Sequence, residues 1–470
     1  MKASTHEIAS DQRSGVQMLA DWALSVRSDD IPAACLNQAK LLLLDSIGCA
    51  IAGRQEEVSK GVVAVCEEVG GKGPCTIIGQ PRGTDMAHAV LANGTLLRVL
   101  DLNDYVVVHG KHGPQIGGHP SDNIAVALAV GEARSSSGRD VLASIVVGYE
   151  AFGRLKGLMD RKAAWDGVTI SGFVVPVMAG RLMGLDADQM AHALALSGAR
   201  AATPGIVRHG GISAAKSIAN ALVAESSVEA TLLAEQGLTG PLAILEHERG
   251  MRTVFPLGDI ADTMEPGLPA KPYIMLSNVK AYPCVATAQS AAAAALDIHR
   301  SLAGRIGDIA RIEVAMIDTP FIHDQQNDPK RAHPHSREAA DHSFQYVVAV
   351  ALADGAFGPA QFEGERWLDP AITALMDKIV MARDPALNVH ATGTYPCVIT
   401  VQEQNGKEHR AERLFPPGYS RGGIAEADVV DKFNTVAAAL PADQRERIIA
   451  AVLELDRATL LEQLTAALRR

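Results

Sequence analysis

The segment GGHPSDN places a histidine, a proline and three small polar residues at the start of an apolar, alanine-rich stretch. Ser121, Asp122 and Asn123 are residue types that cap helices, and the sequence therefore predicts that a helix begins here. The N-terminus of a helix carries a partial positive charge, which attracts carboxylates and lowers the pKa of a nearby imidazole. His119 would then be neutral, as a general base must be. An ordinary helix cap beside a partly exposed histidine is the alternative interpretation.

Two acidic residues precede this segment in the stretch LDLND. Asp101 and Asp104 lie three residues apart after an apolar helical pattern, so both carboxylates are predicted on one side of a last helical turn. If the intervening loop folds back, they would face His119 and orient its imidazole or carry a proton. Capping of the helix and contact with solvent would explain the same residues.

A lysine follows in the stretch GGISAAK, at a position that a helix does not favour. Ser213 is the predicted N-cap, so Lys216 falls in the first helical turn, where its charge opposes the helix dipole. Alanine and isoleucine surround it, and burying a cation among them is costly. Lys216 could therefore bind a substrate carboxylate or act as an acid or base. A surface lysine whose stem lies along apolar residues is the alternative.

The remaining motifs do not indicate a cofactor. The histidines of HGKHGPQIGGH are irregularly spaced, and neither a cysteine nor a regular H-x-x-x-H helix accompanies them, so no metal site is expected. No dinucleotide or phosphate-binding fingerprint lies between a strand and a helix, which leaves nucleotide cofactors without support. GYSRG matches a nucleophile motif but lacks the flanking strand and helix, and it is interpreted as a surface turn.

The composition indicates a globular protein with a small-molecule ligand. Its 470 residues carry a formal net charge of -11 without long runs of Lys or Arg, so neither nucleic acid nor an anionic membrane is an expected partner. Six cysteines are scattered without a C-x-x-C pair, which predicts reduced, buried thiols. The polar N-terminus, and an apolar run interrupted by Asp45, predict a cytoplasmic protein without a membrane span.

The pattern of elements predicts a mainly α fold of more than one domain. From about residue 16 to 245, apolar residues recur at three- and four-residue spacing. β-branched runs follow, with an NGK turn in the last of them, so residues 277–414 are predicted as a smaller α+β domain. Helical patterns then close the chain. We therefore predict a helical domain from residues 1–276 and 415–470, with the α+β domain inserted between them.

Several of these stretches resemble the MmgE/PrpD family, which includes 2-methylcitrate dehydratases, cis-aconitate decarboxylase and iminodisuccinate epimerase. The similarity runs through nearly the whole chain and rests on LLLLDSIGCAIAG, RVLDLND, GGHPSDN, GISAAK, LLAEQGLTGP, VKAYPCVATAQ and SREAADHSFQYVVAVALADG. Three of these features are more similar to the dehydratases than to the decarboxylase or the epimerase: GHPSDN, the glutamine of ATAQ, and DHS with the tyrosine that follows. The resemblance implies a large all-helical domain, an inserted α+β lid, a homodimer and an active site between the domains, without a metal or organic cofactor.

The resemblance also implies which residues form the site. The family's two active-site aspartates fall on Asp101 and Asp104. Its loop histidine falls on His119, its lysine on Lys216 and its lid tyrosine on Tyr346. The residues that we expect to bind the substrate are Ser121, Asp122, Ser213 and Gln289.

The chain departs from the family pattern at three places. A histidine is common in the family where this chain reads WDG, with Gly167 in the third position. A second family histidine position is occupied by Thr287 or Gln289. The loop YVVVHGKHGPQIG is longer than usual, and its His109 and His112 could take over the missing role.

We therefore expect a cofactor-independent lyase that removes water from a β-hydroxy di- or tricarboxylate, with 2-methylcitrate as the first candidate. Such a reaction needs a base for the proton next to a carboxylate, an acid for the leaving hydroxyl, and cations that stabilise the developing charge. A decarboxylase or epimerase of a related carboxylate is one alternative on the same scaffold. A family member that binds a carboxylate without turning it over is another.

Overall fold

The computed structural model describes residues 13–110, 113–159, 164–209, 212–255, 257–390, 393–419 and 424–469. The first half of the chain is a bundle of helices around one apolar core. Serine and aspartate side chains cap several of these helices, so local sequence sets where they begin. The helices are α1 (Gly15–Ser25), α2 (Ala33–Gly53), α3 (Glu57–Val69), α4 (Met86–Arg98), α5 (Ile124–Ala133), α6 (Gly138–Leu158), α7 (Ser171–Met183), α8 (Ala187–Gly198), α9 (Ala215–Glu235) and α10 (Met251–Val254).

Helices α2 and α4 approach each other closely near the C-terminal end of α4, where the candidate site begins. A side chain at Gly53 would place its Cβ 2.2 Å from the carbonyl oxygen of Leu96. Only glycine therefore allows the two helices to pass at this distance. On its other side α4 packs against α9, so both helices that supply site residues are held in one bundle.

Among the described residues, α2 alone is long and apolar enough to cross a membrane by length and composition. It lies inside the bundle, with 89% of its apolar window buried. Its one carboxylate, Asp45, lies 2.6 Å from the ammonium group of Lys432. Burial of this helix among other helices explains its composition.

The first domain also contains strands, so the prediction that it is all-helical is wrong. β1 (Cys75–Thr76) and β2 (Gly83–Thr84) form a short hairpin. A three-stranded antiparallel sheet is formed by β3 (Tyr105–Gly110), β4 (Gly113–Gly118) and β5 (Ser277–Asn278), with β3 in the centre. The β-branched run VVV favours a strand, and Gly118 has a φ of 126°, which suits glycine. The stretch interpreted as a loop is thus a hairpin that ends directly before His119.

A second apolar core contains residues between Cys284 and Val401. Its helices are α11 (Gln289–Leu302), α12 (Pro320–Gln326), α13 (Pro329–Ala332), α14 (Arg337–Ala340), α15 (Phe344–Asp354) and α16 (Pro370–Met376). Its strands are β6 (Ile309–Met316), β7 (Ile379–Arg383), β8 (Cys397–Glu403) and β9 (Glu408–Arg413), in the order β7-β6-β8-β9. β6 and β7 are parallel and the other pairs antiparallel. The predicted NGK turn joins β8 and β9, with Gly406 at a φ of 85°.

The last helices return to the first bundle. They are α17 (Glu426–Val436), α18 (Ala442–Leu453) and α19 (Glu462–Leu468). Val429, Phe433 and Ile448 belong to the first apolar core, and α17 packs against α2. The two ends of the chain therefore form one helical bundle, and the mainly α fold is confirmed.

All six cysteines are buried and unpaired, as predicted. Burial raises the pKa of Cys49, Cys66 and Cys75 to about 12. These thiols therefore stay protonated at neutral pH, and a reactive thiolate is not expected from them.

Candidate active site

The candidate site is centred on the loop that follows α4. This helix ends at Arg98, and Asp101 has a left-handed backbone with a φ of 51°, which residues other than glycine rarely adopt. Asp101 and Asp104 therefore lie in an irregular loop, and the prediction that they share one side of a helical turn is wrong. The sharp turn brings the carboxylate of Asp101 among buried cations.

Three cations surround the carboxylate of Asp101. Its Oδ1 accepts hydrogen bonds from Arg98 at 2.8 Å and from Lys280, and its Oδ2 accepts one from Lys216 at 3.0 Å. All four side chains are at most 2% exposed. Burial by itself would raise the pKa of Asp101, but the three cations hold it well below its usual value. Asp101 is thus an anion that holds three positive charges together.

The second core adds an acid and an imidazole to this group. Asp341 and His342 follow α14, and the ammonium nitrogen of Lys216 lies 3.0 Å from Asp341 Oδ1 and 3.3 Å from His342 Nδ1. Burial, together with the charge of Lys216, lowers the pKa of His342 to about 4, so its ring is neutral at neutral pH. Lys216 therefore joins the first bundle to the second core. We call this group the Asp101 cluster: Arg98, Asp101, Lys216, Lys280, Asp341 and His342.

His119 lies beside the Asp101 cluster with a defined orientation. Its Nδ1 donates a hydrogen bond to the backbone carbonyl of Asp104 at 2.5 Å, which leaves Nε2 as the unprotonated nitrogen, 3.9 Å from Asp101 Oδ1. Burial, followed by the charges of Arg98 and Lys280, lowers the pKa of His119 well below its usual value. The imidazole is therefore neutral. The main cause of its lowered pKa is burial and not the expected helix N-terminus.

The side chain of Asp104 binds a tyrosine and not the imidazole. Its Oδ2 accepts a hydrogen bond from the hydroxyl of Tyr149 at 2.9 Å. Burial raises the pKa of Asp104 to about 7, and the nearby carboxylates of Asp45 and Asp122 add to the rise. Asp104 therefore orients His119 through its backbone, while its carboxyl group exchanges a proton near neutral pH.

Ser121 and Asp122 support the loop and do not cap a helix. Residues 120–123 form a 3₁₀ turn before α5, without a capping side-chain hydrogen bond. The amide of Asn103 donates to Ser121 Oγ and to Asp122 Oδ1, each at 2.8 Å, and Arg98 lies 3.5 Å from Asp122 Oδ2. The predicted cap is wrong because these side chains are engaged by the loop, although the predicted helix is present as α5.

The side chains of Ser213 and Tyr346 are not part of the Asp101 cluster, although the backbone carbonyl of Ser213 accepts a hydrogen bond from the backbone N–H of Lys216 at 3.0 Å. α9 begins at Ala215 and Ser213 is exposed, so its predicted capping role is wrong. The hydroxyl of Tyr346 donates to the backbone carbonyl of Gln361 inside the second core. Within the described residues, neither side chain hydrogen-bonds to a member of the cluster.

Gln289 is buried but binds backbone groups instead of facing an open site. Its amide makes hydrogen bonds to residues 281–284, the turn that follows Lys280. Thr287, at the second departure from the family, donates to Gln325 at 2.9 Å. Gln289 therefore holds the segment that follows Lys280, and the polar groups of both Gln289 and Thr287 are engaged within the protein in this conformation.

The space left by the missing family histidine is filled by a lysine. A Cβ at Gly167 would lie 2.7 Å from the ammonium nitrogen of Lys156. His109 is exposed and lines a cleft of about 500 Å³ with Lys271 and other residues, and not the Asp101 cluster. His112 lies outside the described residues. The geometry thus places Lys156, and not His109, beside Gly167.

The Asp101 cluster contains metal-ligand types, but a lysine occupies its centre. Ligand atoms of Asp101, Asp341 and His342 lie within 4.8 Å of one another. The ammonium group of Lys216 lies 3.0 Å from each carboxylate and 3.3 Å from the imidazole. A metal cation would have to displace this charge or be repelled by it, so these residues do not fit a metal ion while Lys216 is in place.

We therefore expect activity to survive exhaustive treatment with EDTA. The acids of the cluster are already neutralised by Lys216 and Lys280, so chelation should remove nothing that the reaction needs. Turnover is measured before and after chelation, together with the metal content of the protein. Loss of turnover that one divalent ion restores would contradict this prediction.

Sequence reasoning missed four members of the Asp101 cluster. They are Arg98 in RVLDLND, Lys280 in VKAYP, and Asp341 and His342 in DHS. These stretches support the family resemblance, but the four residues themselves were not predicted as site residues. Lys280 lies 179 residues from Asp101 in sequence, so no local spacing connects them. A charged residue between apolar neighbours, as in VKAYP, was the available signal.

Comparison with known proteins places these residues in a family context. Sequence models of the MmgE/PrpD N-terminal domain and the MmgE/PrpD C-terminal domain match residues 17–262 and 282–457. A cis-aconitate decarboxylase of Aspergillus terreus is 23% identical over 96% of this chain and 95% of its own length. The cis-aconitate decarboxylase of Mus musculus is 24% identical over 94% of this chain and 91% of its own length. A 2-methylcitrate dehydratase of Cupriavidus necator is 27% identical over 88% of this chain and 89% of its own length.

Proposed function

The chain belongs to the MmgE/PrpD family, and from this premise we propose that it is a cofactor-independent lyase that removes water from a β-hydroxy di- or tricarboxylate such as 2-methylcitrate. Relatives that are dehydratases or decarboxylases support an enzyme of this kind. One observation carries the proposal: a neutral imidazole, His119, has its free nitrogen 3.9 Å from Asp101, the buried carboxylate that binds Lys216 and Lys280.

His119 is the proposed base. Its Nε2 has no proton, because Nδ1 donates to the carbonyl of Asp104, and its lowered pKa keeps it neutral. A neutral imidazole can accept the proton next to the substrate carboxylate. Lys216 and Lys280 would then stabilise the negative charge that develops on that carboxylate. Asp101 holds both lysines in position.

Asp104 is the proposed acid for the leaving hydroxyl. With a pKa of about 7 it retains a proton in part of the molecules at neutral pH, as a general acid must. Asp104 directly precedes β3 and His119 directly follows β4, so the two residues stand at the two ends of one hairpin, and the carbonyl of Asp104 accepts a hydrogen bond from His119. Base and acid would thus be held together by the ends of this hairpin.

Substrate entry requires movement of the second core. Lys216 and Lys280 are almost completely buried, and Asp341 and His342 cover Lys216 from the second core. We propose that this core acts as a lid, and that a substrate carboxylate replaces Asp341 as the partner of Lys216 when the lid opens. Exchange of one carboxylate for another leaves the lysine neutralised, which limits the electrostatic cost of opening.

A cis-aconitate-type decarboxylation is the second candidate, because decarboxylases cover the chain at least as fully as dehydratases do. It also develops charge next to a carboxylate, but it ends with protonation of carbon. A histidine that is neutral is suited to accept a proton and not to donate one, which favours dehydration. Epimerisation would use the same base.

A panel of hydroxy acids and unsaturated acids separates these candidates. Dehydration of 2-methylcitrate or a related acid should produce the ultraviolet absorbance of a new conjugated double bond, without release of CO₂. Release of CO₂ from cis-aconitate would instead favour the decarboxylase. Ligands that raise the melting temperature without any turnover would favour a binding protein and contradict both enzyme proposals.

Removal of the Tyr149 hydroxyl is expected to shift the pH dependence of activity. If protonated Asp104 is the acid, kcat/KM is high below its pKa and falls as pH rises through about 7. The hydrogen bond from Tyr149 stabilises the carboxylate and so lowers this pKa. Tyr149→Phe should therefore raise the pKa of Asp104 and move the alkaline limb to higher pH.

The measurement is kcat/KM against pH for both proteins. Tyr273→Phe is the matched control, since it removes a partly buried tyrosine hydroxyl that has no described contact with Asp104. An alkaline limb that stays in place in Tyr149→Phe would remove Asp104 from the acid role.

A further inference from the structure

The loop that carries Asp101 and Asp104 is held through its backbone by four separate parts of the chain. Four of its carbonyl groups accept hydrogen bonds from side chains. Arg337 donates to the carbonyl of Val99 at 3.0 Å, and Lys280 donates to that of Asp101 at 2.8 Å. Lys432 donates to the carbonyl of Leu102 at 2.8 Å, and His119 donates to that of Asp104 at 2.5 Å. Lys280 and His119 also belong to the proposed chemistry. Lys432 does not, and it lies on α17 in the last segment of the chain.

Lys432 is held at its own position by an ion pair. Its ammonium nitrogen lies 2.6 Å from Asp45 Oδ1 in the middle of α2. The Lys432 side chain is 12% exposed and that of Asp45 1% exposed. A buried carboxylate in an otherwise apolar helix is unfavourable without a partner, so the two charges depend on each other. Lys432 therefore links α2 and α17 to the carbonyl of Leu102.

The contact falls next to the most strained residue of the loop. Asp101 has a φ of 51°, a backbone conformation that persists in residues other than glycine only where the surroundings hold it. Lys280 binds the carbonyl of Asp101, and Lys432 binds the next carbonyl. Loss of the second contact would leave the turn free to relax and move the carboxylate of Asp101 relative to Lys216.

We propose that Lys432 is a positioning residue for the active site, which fixes the turn at Asp101 through the carbonyl of Leu102. The C-terminal helix α17 thereby contributes to the geometry of a loop more than three hundred residues earlier in the chain. The inference rests on the proposed function for its effect on turnover, but its effect on the loop can be measured without a substrate.

A second ion pair provides a matched control. Lys40 also lies on α2 and pairs with the C-terminal segment, at 2.5 Å from Asp456 Oδ1, with its side chain 8% exposed. It has no described contact with the loop. Lys40→Met and Lys432→Met each remove one lysine that ties α2 to the C-terminal segment, and only the second removes a contact with the active-site loop.

Hydrogen–deuterium exchange of the full chain tests the positioning directly. Lys432→Met should increase exchange in the peptide that covers residues 99–104, whereas Lys40→Met should leave that peptide as in the unmodified protein. With an active substrate, Lys432→Met should lower kcat about ten- to a hundredfold with little change in KM, the scale expected when a reacting group is displaced. Lys432→Arg keeps a donor and should retain most of kcat.

The double variant Asp45→Asn/Lys432→Met separates positioning from stability. It removes both buried charges and should recover the melting temperature lost in Lys432→Met, while exchange at residues 99–104 stays high and kcat stays low. Unchanged exchange in Lys432→Met, or recovery of kcat in the double variant, would overturn the inference. An unmodified protein that turns over no carboxylate would instead contradict the proposed function, and exchange would still decide the role of Lys432.

Discussion

Replacement of His119 by glutamine is expected to lower kcat by about a hundredfold or more, the usual scale for a general acid or base, while the melting temperature stays nearly unchanged. Glutamine keeps a polar group that can donate to the carbonyl of Asp104, so the orientation of the loop is preserved. It cannot accept a proton as imidazole does at Nε2. The loss should therefore appear in turnover and not in folding.

Steady-state kinetics and thermal melts of both proteins check this prediction. His88→Gln is a matched control, because the His88 side chain is 19% exposed against 15% for His119 and its Nδ1 is likewise hydrogen-bonded, to Asp85. That variant should keep full activity. Near-normal kcat in His119→Gln, measured with an active substrate, would contradict the role of His119 as the base.

Replacement of Lys216 by alanine is expected to lower kcat/KM about a thousandfold, with KM raised and kcat lowered together. The lysine is assigned to both the bound carboxylate and the developing charge, so binding and turnover should fail together. Its removal also leaves Asp101 and Asp341 without the cation between them. The free energy of unfolding should fall by about 3–5 kcal/mol, as when one partner of a buried pair is lost.

A double variant separates these two effects. Lys216→Ala/Asp341→Asn removes one buried negative charge and should recover part of the stability without recovering kcat/KM. Lys378→Ala is the control for loss of a lysine hydrogen bond elsewhere, because Lys378 donates to the carbonyl of Ile309 in the second core. An unchanged KM in a folded Lys216→Ala protein would remove the lysine from substrate binding.

Much of the local structure could be predicted from residue patterns. The apolar periodicity of IAVALAVGEA predicted a helix that the structure has at Ile124–Ala133, and the NGK turn predicted the β8–β9 hairpin. Both signals depend only on neighbouring residues. The hairpin before His119 was missed because glycine and histidine interrupt the alternation that indicates strands, and its pairing with β5 comes from more than 150 residues later.

The sequence by itself determined the residue types available for chemistry: Asp101, Asp104, His119 and Lys216 were identified before the fold. Only the tertiary structure decided their protonation and their partners. The pKa values depend on burial and on charges brought from distant segments, so Lys280 and Asp341 change the electrostatics of Asp101 although no local pattern connects them. Motifs also indicated Ser213 and Tyr346, whose side chains make no described hydrogen bond to the Asp101 cluster. Local spacing predicts elements, whereas long-range contacts decide which charges meet.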